Sequence, residues 1–436
     1  MSPGREVSRG RKTGLWPRLL SLVSGQHALA LADQAVVSGT SFLTTVLIAR
    51  WTDASQLGTY AIGISVLASL LTVQESLILL PYSIQRHQPA GTSAEHAGGS
   101  LILSVLLSAV GMFVLIAGAA ALSAQGAGEH IVTMIWAISG VAPFALIREF
   151  GRRYAFARLQ VAQALILDIA VAIIQVAGLI WLGWSGQMSA VAACAALAGA
   201  CGLTAIGWLY VARRDFAIRA IHVRATLRQS WDLAKWLFIG RMTMVMQGYI
   251  PYWLSIAIAG ATVTGVFAAC MSILAFANPL MFGFANILTP RSVLAWKNGG
   301  KSGLINQTVR DAFLLGVLMA AFCASVLLLG EQLMHFLYRG AEYEGHAHTL
   351  TVLALAMMVQ AIGMPASSAL GAMERPRAII GVGAAAAMVT LVLVWWFMSR
   401  WGLSGAAFGM LAGNLVGVVG WWVMLVLARH KGFAYA

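Results

Sequence analysis

Long apolar runs recur along this sequence at intervals of roughly 20 to 40 residues, and each is about as long as a helix that crosses a bilayer. Of the 436 residues, 60% are hydrophobic and only 10% are charged, whereas a soluble globular chain carries about 25% charged residues. One water-soluble core cannot enclose this much apolar surface. The sequence therefore predicts an all-α polytopic membrane protein.

The apolar runs predict about twelve transmembrane helices. The predicted spans cover residues 27–49, 58–82, 99–123, 130–147, 160–183, 188–212, 233–258, 262–288, 311–334, 349–369, 378–399 and 403–428. Gaps between spans are short, which leaves little chain for a separate soluble domain.

The distribution of basic residues predicts the orientation of these spans. Cytoplasmic segments of membrane proteins carry an excess of Lys and Arg. If the N-terminus is cytoplasmic, only Arg50, Arg339 and Arg400 fall in gaps on the other side, and only Arg241 lies deep within a span, since Lys235 is at the cytoplasmic start of span 7 and counts with the cytoplasmic residues. We therefore predict a cytoplasmic N-terminal tail (1–25), a cytoplasmic C-terminal tail (429–436) and a net charge of +13 that reflects topology rather than nucleic-acid binding.

An internal repeat divides the chain into two halves. Residues 58–67 (GTYAIGISVL) match residues 265–274 (GVFAACMSIL) without a gap, at an offset of 207 residues. Because six spans separate them, both halves run in the same direction, as in parallel repeats. The predicted fold is two parallel-repeat six-helix lobes around a central cavity. The predicted boundaries are 26–212 for the N-lobe (spans 1–6), 213–232 for a basic linker and 233–428 for the C-lobe (spans 7–12).

Ionisable residues within spans are energetically costly, so each is a candidate functional residue. Asp33 and Arg241 lie at nearly equivalent depths in the two lobes, since the repeat offset maps Gln34 onto Arg241. We hypothesise that Asp33 and Arg241 pair across the cavity and close its cytoplasmic mouth in one state. Local pairing within each lobe is the alternative.

Four further polar or aromatic residues lie within spans. Glu75 is a candidate for a coupling proton or for a structural hydrogen bond, and Asp168 for a structural pair or a coupling site. Gln247 and Tyr249 lie beside Pro251 in span 7, where aromatic rings suit packing against sugars. The substrate and gating candidates are therefore Asp33, Gln34, Glu75, Arg241, Gln247 and Tyr249.

Soluble catalytic motifs are missing from the sequence. It contains no GxxxxGK[ST] phosphate loop, no HExxH and no cysteine spacing typical of a metal site. We therefore predict a transporter rather than an enzyme, without a metal or a cofactor. A gradient of H⁺ or Na⁺ is a possible source of energy.

Three stretches resemble one known group of membrane proteins. They are residues 33–44 (DQAVVSGTSFLT), which lead to Arg50 and residues 58–61; residues 148–158 (REFGRRYAFAR), followed by Asp168; and residues 402–409 (GLSGAAFG). The chain resembles the Wzx-type polysaccharide flippases of the multidrug/oligosaccharidyl-lipid/polysaccharide (MOP) superfamily.

The resemblance implies an inner-membrane flippase of bacteria. Its implied substrate is a polyprenyl-linked oligosaccharide, moved from the cytoplasmic to the periplasmic leaflet by alternating access for exopolysaccharide or O-antigen assembly. Implied partners are membrane lipids, a polysaccharide polymerase and other assembly proteins, with no nucleic acid. Four arginines at the cytoplasmic mouth are candidate headgroup contacts: Arg148, Arg152, Arg153 and Arg158.

Two alternatives stay open at this stage. A cation-coupled multidrug antiporter of the same superfamily is favoured by acidic residues in one lobe, and Asp33, Glu75 and Asp168 all fall in the N-lobe. The second alternative is a non-transporting membrane component of a glycan assembly complex. The short gaps between spans leave little surface for docking such partners.

Overall fold

The computed structural model describes residues 26–85, 92–126, 128–217 and 220–430, which are almost entirely helical. Nine helical runs in this part of the chain are long and apolar enough to cross a membrane. Three glycines inside two of these runs, Gly260, Gly300 and Gly402, have positive φ angles of 84°, 55° and 57°. The breaks divide the nine runs into twelve segments, which correspond in order to the twelve predicted spans. The chain is thus a multi-pass membrane protein.

The helices follow one another with short connections. In chain order they are α1 (Gln26–Trp51), α2 (Ala54–Gln74), α3 (Leu80–Gln85), α4 (Ser93–Ala124), α5 (Glu129–Ala157), α6 (Val161–Trp184), α7 (Ala190–Ala212), α8 (Ala220–Leu274), α9 (Asn278–Leu337), α10 (Ala347–Ala372) and α11 (Pro376–His430). A π-helical turn, Glu75–Leu79, joins α2 to α3, so that the two form one continuous span.

Side chains cap several helix starts, where backbone N–H groups otherwise have no partner. Asp53 accepts a hydrogen bond from the amide of Gln56 at 2.8 Å. Thr92 and Glu95 form a reciprocal capping box at the start of α4. Ser189 accepts from the amide of Ala192 at 3.1 Å. These polar residues fix where the apolar spans begin.

Two segments predicted as loops contain helix. The basic segment 148–158, placed outside span 4 by its charge, is helical as far as Ala157. The predicted linker 213–232 is a 3₁₀ turn at Arg213–Asp215 followed by α8, which begins at Ala220. The charged residues therefore ended span 4 too early and began span 7 too late, whereas the helix of span 6 ends at Ala212 as predicted. The predicted tail 1–25 and residues 431–436 of the second tail lie outside the described residues.

The two halves touch at equivalent glycines of the repeat. A Cβ atom added to Gly58 would lie 2.8 Å from the amide nitrogen of Gly265, and one added to Gly265 would lie 3.0 Å from that of Gly58. Each would also overlap a carbonyl oxygen four residues earlier in the facing helix, of Ala261 and Ala54 respectively. The contact is unchanged when the halves are exchanged, so it lies on the axis that relates the two lobes.

Further contacts close the lobes at this end, which we call the outer end because the charge distribution predicts it to be periplasmic. The Arg50 Nε donates to the carbonyl of Leu337 at 2.9 Å, at the C-terminus of α9. The Glu342 carboxylate accepts from the amide of Ala54 at 3.0 Å. Arginine and glutamate thus satisfy unpaired groups at a helix C-terminus and a helix N-terminus, which is the favourable placement for each charge.

A ladder of glycines packs the last two spans against each other. Around the turn at Gly402, each glycine of the second segment faces a residue of the first at nearly constant register. The facing pairs are Gly405 with Phe397, Gly409 with Val394, Gly413 with Thr390, Gly417 with Ala386 and Gly420 with Val382. Small residues at this spacing let helix backbones approach closely in a membrane.

We expect Gly409→Ala to destabilise the protein and Gly381→Ala, in the same pair of segments, to leave it unchanged or stabilise it. The added Cβ at residue 409 would lie 2.7 Å from the Val394 Cα, whereas nothing lies within 4 Å of one at residue 381. Overpacking costs about 1–3 kcal/mol, while alanine in an open helical site gains up to about 1 kcal/mol over glycine. Thermal unfolding in detergent measures both. Equal losses at the two positions would contradict close packing at Gly409.

Candidate functional site

Helix α5 presents a charged face that no other described helix of the N-lobe matches. Arg148, Glu149, Arg152 and Arg153 lie at positions i, i+1, i+4 and i+5, which fall on one side of an α-helix. The Glu149 carboxylate contacts all three arginines, at 3.2 Å from Arg148, 3.4 Å from Arg152 and 3.1 Å from Arg153. Glu149 is therefore the hub of this face.

Asp168 and Asp33 bring two more helices to the same arginines. Asp168, from α6, pairs with Arg148 and accepts from the Arg152 Nε at 2.7 Å. Asp33, from α1, accepts from the Arg152 Nη2 at 2.7 Å. The Asp168 side chain is fully buried and that of Asp33 is 2% exposed. Arg152 thus joins α1, α5 and α6 through buried ion pairs.

Glu75 links this face to the C-lobe. Its Oε1 atom lies 2.7 Å from the Arg153 Nη2 and 3.3 Å from the Arg241 Nη2. Arg153 belongs to the N-lobe and Arg241 to α8, so the carboxylate forms an ionic bridge between the two lobes, beside the packing of α2 against α8. Glu75 begins the π-helical turn, an irregularity that often occurs at functional sites. We call these eight residues the arginine–carboxylate network: Asp33, Glu75, Arg148, Glu149, Arg152, Arg153, Asp168 and Arg241.

The hypothesised pair of Asp33 with Arg241 is not present in this structure. Asp33 pairs with Arg152 inside the N-lobe, and Arg241 pairs with Glu75 across the lobes. The side chain of Arg241 is 45% exposed, whereas those of Arg148 and Arg152 are 16% and 14% exposed. Of the four arginines predicted to meet a headgroup, Arg148 and Arg152 are therefore enclosed by carboxylates, and Arg153 is more accessible.

The fourth of these arginines, Arg158, lies apart from the network. It pairs with Asp215, which also accepts a hydrogen bond from the Tyr154 hydroxyl at 3.0 Å. Phe216 packs against the Tyr154 ring at 5.2 Å, and the Ala217 amide donates to the Ala94 carbonyl at 3.1 Å. These contacts fix the start of the predicted linker, as far as Ala217, to the N-lobe.

A cavity of about 260 Å³ lies inside the N-lobe, directly beside the network. Arg148 and Asp168 form part of its wall, together with the polar residues Thr40, Ser41, Tyr60 and Gln175. Gln175 donates to the Thr44 hydroxyl at 3.0 Å, which positions its side chain. The cavity thus combines a charged patch with an otherwise largely apolar wall.

The remaining predicted candidates lie away from the network. Gln247 donates to Asn414 at 3.2 Å, and Asn414 donates to the Ala356 carbonyl at 2.9 Å, which links three segments of the C-lobe. Gln34 donates to Ser38 within its own helix at 3.2 Å. The Tyr249 ring lies 6.0 Å from that of Tyr252. The structure does not bring these three candidates together with Glu75 and Arg241.

Two contributions were missed by the sequence analysis. Glu149 was not singled out, although its spacing to Arg152 and Arg153 is that of helical ion pairs. Trp253 donates its indole N–H to the Ser65 hydroxyl at 2.8 Å, across the lobes. The sequence carries no signal for this pair, because the two residues are 188 positions apart and lie on different lobes.

No family model and no curated protein matches this chain. Its structure is similar to that of a multidrug resistance MATE family transporter of the MOP superfamily. The inward-facing conformation has a TM-score of 0.69 at 18% identity, over 95% of this chain and 99% of the other. The outward-facing conformation has 0.65 at 16% identity, over 94% and 97%.

A third similar structure is a MOP superfamily transporter from Pyrococcus furiosus, described as having a binding pocket of reverse polarity. It has a TM-score of 0.66 at 15% identity, over 94% of this chain and 97% of the other. At these identities the similarity establishes the fold. The predicted all-α membrane fold is thus confirmed, and it is similar to the fold of these transporters.

We expect Asp168→Asn to lower the free energy of unfolding by about 3 kcal/mol, because it leaves Arg148 and Arg152 buried with less negative charge. Asp215→Asn is the matched control. Its pair with Arg158 has side chains 33% and 44% exposed, and such pairs contribute about 1 kcal/mol or less. Denaturant unfolding in detergent measures both variants. Equal effects would contradict a buried, mutually dependent network.

Proposed function

We propose that this protein is an inner-membrane flippase that moves a polyprenyl-linked oligosaccharide from the cytoplasmic to the periplasmic leaflet by alternating access. The proposal rests on the sequence resemblance, the fold and one observation, the Glu75 carboxylate shared by Arg153 and Arg241 across the lobes. The product would serve exopolysaccharide or O-antigen assembly, with a polymerase and other assembly proteins as partners.

The shared carboxylate supplies a recognition chemistry for the substrate. A lipid-linked sugar carries its anionic phosphate next to the polyprenyl chain. Guanidinium groups bind phosphate by paired hydrogen bonds that are stronger than neutral ones. Arg153 is also paired with Glu149, so the four arginines and four carboxylates of the network balance in charge. Arg241 is its most exposed arginine, at 45%, and Glu75 is the one carboxylate that pairs with Arg241 among the described residues. An entering phosphate would therefore replace Glu75 as the partner of Arg241.

Replacement of Glu75 by the substrate phosphate would couple substrate binding to the separation of the lobes. Glu75 joins the lobes at their inner half, while Arg50, Glu342 and the Gly58–Gly265 contact close the outer end. A phosphate that takes Arg241 from Glu75 removes the bridge between the lobes. The energy of binding is then available for the movement, as alternating access between repeats requires.

A cation-coupled multidrug antiporter is the second candidate, and the N-lobe cavity favours it. Its wall contains Asp168, and the similar structures include multidrug MATE transporters. Against this function, the Asp168 carboxylate is already paired with two arginines, so the cavity offers a cationic drug little uncompensated negative charge. H⁺ or Na⁺ is the coupling ion in either proposal.

Complementation of a gene deletion tests the flippase function. We expect lipid-linked oligosaccharide to accumulate on the cytoplasmic leaflet in the deletion strain, and wild type to restore the periplasmic pool. Arg241→Gln should reduce the flipping rate at least about tenfold, because it removes a charged hydrogen-bond donor to the phosphate. Arg400→Gln is the matched control, since Arg400 stacks on Trp396 at 4.2 Å, far from the network.

A normal glycolipid distribution in the deletion strain would overturn the flippase function. If that strain instead became sensitive to cationic drugs, and Asp168→Asn failed to restore resistance, the antiporter function would be supported. Equal loss of flipping in both arginine variants would contradict the role of Arg241 while leaving the flippase function intact.

We further expect Glu75→Gln to loosen the inner contact between the lobes. The variant retains the shape of the side chain but removes the charge that holds Arg153 and Arg241. Hydrogen–deuterium exchange should become several-fold faster in residues 72–82 and 237–245 and stay unchanged in residues 405–420. Glu129→Gln, at the exposed start of α5, is the control. Unchanged exchange in both variants would show that Glu75 does not hold the lobes together.

A further inference from the structure

The two arms of the helical hairpin at Gly300 enclose a groove of about 640 Å³. The first arm precedes Gly300 in α9 and the second follows it. The groove lies in the C-lobe, and none of its lining residues belongs to the arginine–carboxylate network. Its polar lining consists of Arg291, Asn298, Gln307, Arg310 and Asp311, and its main apolar lining of Leu294, Phe313 and Leu314.

On the second arm of the hairpin, the lining changes from polar to apolar with distance from the turn. Asn298 lies two residues from the turn, which is about 3 Å along the helix axis, and Arg310 lies ten residues from it, about 15 Å. Beyond the arginines, Phe313 is 73% exposed and Leu314 is 44% exposed. An amide, a cation and exposed apolar side chains thus follow one another along the hairpin. Their order is that of the headgroup, the phosphate and the acyl chain of a lipid at a membrane surface.

The cations of the groove are available to a ligand. No hydrogen bond or ion pair to the Arg310 side chain occurs within the described part of the chain. Arg291 is 50% exposed and lies 3.4 Å from Asp311, its one carboxylate partner among the described residues. The Asp311 side chain is 3% exposed and is also held by Gln307 at 2.9 Å. Asp311 thus orients Arg291 from below, and the accessible surface of the groove is positive.

We propose that this groove binds an anionic phospholipid of the inner leaflet, with the phosphate between Arg291 and Arg310. The glycerol and headgroup oxygens then meet Asn298 and Gln307, while an acyl chain lies along Phe313 and Leu314. A soluble anion would gain nothing from the exposed apolar residues, whereas a lipid buries them. Basic pockets between membrane helices are suited to such headgroups. The proposal is independent of what the protein transports.

Two lysines of the same hairpin serve to distinguish binding in the groove from general attraction to a negative membrane surface. Lys297 and Lys301 flank the turn, both are exposed, and neither lines the groove. They carry the same charge as the two arginines and lie on the same hairpin. A site in the groove requires the arginines, whereas non-specific attraction requires only the sum of the charges.

Native mass spectrometry of the full chain, exchanged into phosphatidylglycerol, phosphatidylcholine or inorganic phosphate, tests the proposal. We expect phosphatidylglycerol to remain bound to the wild type, and Arg310→Gln to weaken it about fivefold, as expected for one basic group at the membrane surface. Lys301→Gln should change binding less than twofold. Arg291→Gln should act in the same direction, although loss of its contact with Asp311 also affects folding, so that Arg310→Gln is the decisive variant.

Three outcomes would overturn the proposal. Equal weakening by Arg310→Gln and Lys301→Gln would show non-specific attraction. Phosphatidylcholine that binds as tightly as phosphatidylglycerol would show that charge is not recognised. Inorganic phosphate that displaces the lipid at equal concentration would show an anion site to which the apolar residues contribute nothing.

Discussion

Arg152 lies among the helices of the N-lobe, where a buried cation is stable only if carboxylates surround it. Its side chain is 14% exposed, and carboxylates from three helices surround it. Removing one of these carboxylates leaves the buried charges less well compensated, and breaking a buried ion pair costs more than the intact pair contributes. Helices α1, α5 and α6 are therefore held in one relative arrangement by electrostatics, in addition to the packing of their apolar faces.

The strength of this core determines where the molecule can move. The N-lobe is bound together by Arg148 and Arg152, whose partners all belong to it. Contacts between the lobes are of another kind: a bridge at Glu75, an indole hydrogen bond from Trp253, and helix caps at the outer end. Apolar packing of α2 against α8 adds to these contacts. The Glu75 bridge is partly exposed, since the Arg241 side chain is 45% exposed, so this contact can be exchanged for a ligand or for water at modest cost. The proposed rocking motion would use this replaceable contact.

The sequence predicted the spans, their order and the repeat because these depend on hydropathy and on local identity. The offset of 207 residues makes Gly58 and Gly265 equivalent, and the structure adds that these two glycines touch each other. The partners of the charges were not predictable in the same way. Asp33 meets Arg152 rather than Arg241 because the partner is chosen by how α1 packs against α5, which periodicity does not encode. The basic residues of α5 were assigned to a cytoplasmic loop because unpaired Lys and Arg residues usually lie outside the membrane. In α5, however, Glu149 on the same helix partly neutralises them, so they can lie within a helix.

The backbones of the two lobes are similar, but the charged residues at equivalent positions differ, and the proposed mechanism depends on both features. Gly58 and Gly265 pack as equivalents, yet the position equivalent to Asp33 is Gly240, and Arg241 itself is equivalent to Gln34. In the proposed alternating-access cycle, two similar lobes close either end around one axis, and charges that differ between the lobes let an anion favour one of the two states. Because Glu75 stands on one lobe and Arg241 on the other, separating the lobes exposes a cation to whatever anion is present, so that the ligand and the movement become thermodynamically linked.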